Sequence, residues 1–197
     1  MKLQKQKNPF MSNEEGFLES SRKLFRYYKG LGEKAIEQLT DEQVLAKPNE
    51  ASNSIALIIH HLSGNMTSRF TDFLTADGEK PWRNRESEFE ETFADKKAMM
   101  DVWEKGWVCL FNAIDALQPD DLSRIIYIRN EGQSVLEALQ RQLAHYPHHI
   151  GQILYQAKIL KGNDFKSLSI PKGGSADFNK EKFSQEKERK HFTDGLK

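Results

Sequence analysis

The chain has a single cysteine, only six prolines, and no excess of either charge among its 197 residues. One cysteine rules out an internal disulfide and a thiolate metal cluster within the chain. Twenty-nine basic residues balance twenty-nine acidic ones, so the net basic footprint of a nucleic-acid binder is missing. The longest apolar run, Ile55 to Ile59, falls far short of the roughly 20 residues that span a bilayer. The basic stretch from Met1 to Lys7 is not followed by an apolar run, so no secretory signal is expected. What remains is a soluble, cytoplasmic protein of one domain, long enough to bury a core, with small molecules as its expected partners.

Helix signals fill the sequence. Ser12 with Glu15, Thr40 with Gln43, and Ser134 with Glu137 each read as a capping box, in which two side chains satisfy free N–H groups of a first turn. Behind Ser12, apolar residues from Phe17 to Leu39 recur at spacings of three and four, one face of a long helix weakened locally by Gly30 and Gly32. A second helix is predicted from Asn53 or Ser54 to just before Asp77-Gly78. The polar stretch from Gly78 to Thr92 reads as a long crossover loop. A third helix spans about Asp95 to Leu117, with Trp103 and Trp107 in the core. Ile125 to Arg129 alternates briefly and reads as a short extended piece. The fourth helix starts at Ser134 and stops at Gly162-Asn163. This is an all-α pattern, a four-helix bundle with a crossover connection. Its expected limits are an N-terminal extension over 1–12, the bundle over 13–179, and a mobile charged tail over 180–197.

Five of the six histidines lie in two short windows, His60-His61 and His145 to His149. On the fourth helix, His145 and His149 are four apart and share one face, on the flank of the stripe Leu139, Leu143, Tyr146, Ile150 and Ile153. Gln142, Gln152 and Gln156 fall in the same sector. An i,i+4 histidine pair is a ready chelate. On the second helix His61 flanks the core stripe while His60 points away. Three imidazoles leave coordination positions open and suit zinc, nickel or iron. The competing reading makes each a hydrogen-bonded boundary residue. Pro147 sits between the pair, removes one N–H, and either kinks or breaks the helix. His148 points outward, and His191 belongs to a solvated tail. Arg69, Arg83, Arg85 and Arg129 are candidates to hold an anionic substrate group, or else are ion-pair partners of the nearby glutamates. Cys109 reads as an inert thiol. HHLSG and HYPHH lack the glutamate of HExxH, which gives no support for a zincin protease, and PKGGS lacks the order of a P-loop.

HLSGN at His61, HYPHHIGQI from His145, and SLSIPKGGSADFN near the C-terminus together resemble the DinB/YfiT-like superfamily of metal-dependent enzymes. RFTDF, GEKPWRNRESEFE and YIRNEG also look like landmarks of one branch of it. The resemblance implies a crossover four-helix bundle, a homodimer, and a divalent metal on His61, His145 and His149, with Gln152 beside them. It further implies chemistry with a low-molecular-weight thiol cosubstrate: an S-transferase acting on small electrophiles. The alternatives are a metal-dependent hydrolase, or a metal-binding stress-response bundle without turnover.

Overall fold

Each predicted capping box opens a helix. In the computed structural model, which describes residues 11–90 and 93–195, Ser12 and Glu15 close the first turn of α1 (Asn13–Ile36). The expected N-terminal extension lies outside the described residues except for Met11 and Ser12, as do Glu91 and Thr92 of the expected loop. Thr40 and Gln43 cap the short α2 (Asp41–Leu45), and Ser54 caps α3 (Ile55–Phe70). Asp95 caps α4 (Lys96–Ala116), and Ser134 with Glu137 caps α5 (Val135–Lys161). Two strands, β1 (Ile125–Ile128) and β2 (Glu131–Ser134), pair antiparallel ahead of α5. A last helix, α6 (Ser175–Phe183), follows. The described residues are mostly helical, as the pattern predicts.

The four long helices pack on one another: α3 lies against α4 and α5, and α1 against α5 and α4. Trp103 and Trp107 of α4, Phe25 of α1, Ile59 and Leu62 of α3, and Tyr146 and Ile150 of α5 are each 1% exposed or less. An aliphatic or phenyl side chain buried this way contributes about 1.5–3 kcal/mol over exposure. Gly106 makes the closest approach possible, because a Cβ there would lie 2.8 Å from Ser63 Cα of α3. Arg22 of α1 donates to the carbonyls of Ile114 and Leu117 (3.0 and 2.8 Å), fastening the C-terminal end of α4 to α1.

One expectation needs correction, and the expected extended piece is present. The second helix stops at Phe70, not near Asp77, because Asp72 turns the backbone left-handed (φ 49°). Ile125–Ile128 is half of a hairpin whose turn residues Arg129 and Asn130 both have positive φ (56° and 61°). Such a turn usually carries Asn-Gly; here Asp77 supports it, accepting N–H bonds from both residues (2.9 Å each). The described part of the tail meets α1. His191 Nε2 lies 3.1 Å from Ser20 Oγ, and Phe192 meets Tyr27 edge-on. These few specific contacts hold the described part of the tail to α1 despite its polar composition. Pro147 neither breaks nor ends α5. An interior proline costs about 3 kcal/mol, and the burial of Tyr146 and Ile150 on either side of it offsets that.

The backbone N–H groups around Asp77 hold its carboxyl below the usual carboxylate range, that of Asn130 first, against an opposing effect of burial. A carboxylate with a depressed folded pKa stabilises the fold fully above the unfolded value, about 4, and loses that contribution as pH falls further. Asp77→Ala is expected to lower stability by about 1–2 kcal/mol at neutral pH. In urea unfolding the difference from wild type should shrink as pH drops from 5 towards 3. A constant difference across that range would mean that the charge is not what holds the turn.

Candidate metal centre

His61 projects from the middle of α3, and His145 and His149 from consecutive turns of α5. One nitrogen from each falls within 4.8 Å of the others. His145 Nε2 and His149 Nε2 are 3.1 Å apart, and the His61 ring centroid is 5.6 and 5.1 Å from theirs. Pro147 leaves the i,i+4 alignment intact.

The opposite edge of each ring is occupied. His61 Nδ1 is 3.0 Å from Glu88 Oε2, His149 Nδ1 is 2.8 Å from Gln152 Oε1, and His145 Nδ1 is 3.4 Å from Gln142 Oε1. With Nδ1–H donating to these oxygens, each Nε2 keeps its lone pair for the common centre. Two ring nitrogens 3.1 Å apart share either one proton, as an N–H···N bond, or a cation. Two nitrogens on a tetrahedral ion at about 2.0–2.1 Å would be about 3.3 Å apart. The donor set therefore fits a divalent ion.

Electrostatics favour the ligating form. Burial first, then the neighbouring His149 and His61, pushes His145 down to about 4. Burial also lowers His149, against the bond to Gln152. Both are thus neutral at pH 7, as a metal requires. Burial pushes the Glu88 carboxyl up, but hydrogen bonds from His61 and Arg83 outweigh it and hold Glu88 below its ordinary value, hence ionised.

Of the four arginines, three converge on one acid. Arg69 NH1, Arg83 NH1 and Arg129 NH2 lie 3.0, 3.5 and 3.2 Å from Glu79 Oε2. Arg83 also pairs with Glu88 at 2.7 Å, and Arg69 donates to Gly78 O. Arg85 stands apart: exposed, it holds its guanidinium 5.6 Å from the Phe89 ring centre, and Phe89 in turn stacks on His61. His60 packs against Phe93, while His148 meets Gln152 and the edge of the His149 ring without joining the three nitrogens that converge. Glu88 was not among the sequence candidates. It is one of several acids in ESEFEE, and nothing local sets it apart; the only signal is the small residue Gly64 one turn beyond His61.

Fold and site together define a mostly helical protein with a three-histidine group able to hold a metal ion. The chain belongs to the family described as Protein of unknown function (DUF1572), which it matches over residues 12–174. No curated protein matches. The crystal structure titled as that of the conserved protein of locus from Enterococcus faecalis is similar, with a TM-score of 0.59 at 14% identity. The match covers 78% of this chain and all of that one, a likeness of fold. No helix among the described residues is long and apolar enough to cross a membrane.

Metal analysis after loading with zinc, nickel or iron is expected to find about one ion per chain. His61→Ala, His145→Ala and His149→Ala should each lose it, while His148→Ala should retain it. Equal content in all five proteins would remove the triad.

Proposed function

We propose that the chain is a divalent-metal-dependent enzyme of the DinB-like kind, with His61, His145 and His149 as its metal ligands. The observation that carries this is the shared arrangement of the three rings: Nε2 atoms inward, and every Nδ1 held from behind by an oxygen. A structural zinc site closes its fourth position with another protein ligand, whereas three imidazoles leave room for an exogenous one. In the same reading the four long helices form a bundle with a crossover between α3 and α4. It occupies 13–179 and assembles as a homodimer.

The reaction we assign is transfer of a small thiol to an electrophilic small molecule. The ion supplies Lewis acidity, lowering the pKa of a thiol or water that reaches it. The chain's own groups do the rest. Glu88, Gln142 and Gln152 orient the imidazoles, and Phe89 covers one face of His61. Arg69, Arg83 and Arg129 already serve Glu79, so Arg85 is the arginine best placed to receive a carboxylate of the thiol cosubstrate. Small molecules, rather than nucleic acid or lipid, are the partners this calls for.

Metal-loaded protein should be assayed with a panel of low-molecular-weight thiols and a chromogenic aryl halide. Turnover is expected to require both metal and thiol. Arg85→Ala should raise KM for a carboxylate-bearing thiol about tenfold, the equivalent of roughly 1.4 kcal/mol, and leave metal content unchanged. Turnover that needs metal but ignores thiol would reassign the protein as a hydrolase. None at all across the panel would leave a metal-binding bundle.

A further inference from the structure

His61 differs from the other two histidines in one respect: it stands alone on α3, without an i,i+4 neighbour to fix its direction. Its orientation must come from outside the helix. Glu88, in the 3-10 turn Glu86–Phe89, reaches it there. The residue is 3% exposed, and its Oε2 lies 3.0 Å from His61 Nδ1. Arg83 grips both carboxylate oxygens, Nε to Oε1 at 2.7 Å and a terminal NH2 to Oε2 at 2.9 Å. An ionised carboxylate only accepts, so the proton between Glu88 and His61 belongs to the imidazole.

The carboxylate occupies space that α3 leaves vacant. A Cβ at Gly64 would lie 2.2 Å from Glu88 Oε1 and 2.7 Å from its Cδ. With Glu88 pinned by Arg83, the missing side chain at Gly64 is what leaves the acid its place at the back of His61. Phe89 then closes the face of the ring, stacked at 5.3 Å and 24°. A buried ion pair alone would need Arg83 and no slot, and is a weak source of stability. The slot and the third partner serve the ring.

We propose that Glu88 is the positioning residue of the metal centre. It fixes His61 with the proton on Nδ1 and the Nε2 lone pair towards His145 and His149, and Gly64 is the slot through which it does so. This rests on the metal-site reading above. It extends that site to a segment of chain 27 residues away, joining ligand geometry to the seating of residues 78–90 on α3.

Two measurements test it. In metal-free protein at pH 8, nitrogen-15 NMR of the imidazoles is expected to find the His61 proton on Nδ1; a proton on Nε2 would overturn the proposal. Chelator competition with zinc and cobalt should then compare wild type with Glu88→Gln, Glu88→Ala, Gly64→Ala and His148→Ala. Loss of an outer-shell partner typically costs 10–100-fold in metal affinity. Glu88→Ala and Gly64→Ala should fall near the upper end, and Glu88→Gln, which still offers a carbonyl acceptor, near the lower. His148→Ala should bind as wild type does. The visible spectrum of bound cobalt should shift in the Ala variants. Lowered urea midpoints with unchanged cobalt affinity and spectrum would make Glu88 a structural acid only and sink the idea. If wild type takes up neither ion, the metal reading falls, while the proton position still decides what Glu88 does to His61.

Discussion

Glu88 and Arg83 are buried together, with side chains 4% and 3% exposed, and much of the surrounding structure follows from keeping them satisfied. Each charge loses several kcal/mol of hydration on entering the interior. Their mutual bonds do not exhaust their capacity, so Arg83 reaches on to Glu79 and Glu88 to His61. Glu79 in turn collects Arg69 and Arg129. The result is a ladder of alternating charge from the hairpin to the imidazole, which the chain between Gly78 and Glu90 must follow closely. A segment that composition marks as a loop is therefore fastened along its length. Ser68 Oγ donates to Gly78 O and accepts from Lys80 N, and Gly78 N donates to Tyr127 O.

This division between local and distant causes explains what the sequence could reveal. A capping box is written within four residues, so Ser12, Thr40 and Ser134 announced their helices. The end of α3 was not legible, because apolar Phe73 continues the helical spacing and is buried anyway, from a turn. The hairpin lacked its usual dipeptide, since Arg129-Asn130 depends on Asp77, more than fifty residues earlier. The anchoring of the tail rests on His191 and Phe192 finding α1, which no periodicity encodes.

The candidate site divides the same way. His145 and His149 are adjacent by helix geometry alone, and the wheel placed His61 on the correct flank of α3. Gln142 and Gln152 lay on the same strip and were visible with the pair. Glu88 was hidden among like residues. The arginines show the converse failure: residue type marks a group able to bind an anion, but not whether an anion of the chain already holds it. Arg69, Arg83 and Arg129 are so held, and Arg85, with its guanidinium over Phe89, is not distinguished from them by sequence.

The zero net charge of the chain conceals an asymmetry at this centre. Glu88 carries the negative charge nearest the imidazoles, and the bidentate Arg83 balances it. His145 and His149 are neutral at pH 7, held so first by burial. A divalent cation on these three rings therefore brings two positive charges that no neighbouring carboxylate cancels. In surroundings of low dielectric such a charge acts strongly on whatever fills the open side. A donor that can shed a proton, a thiol or a water, gains more there than one that stays neutral. With an ion held there, a paired acid would orient the imidazole without adding a carboxylate to the coordination sphere, and the charge of the ion would stay undiminished for any donor on its open side.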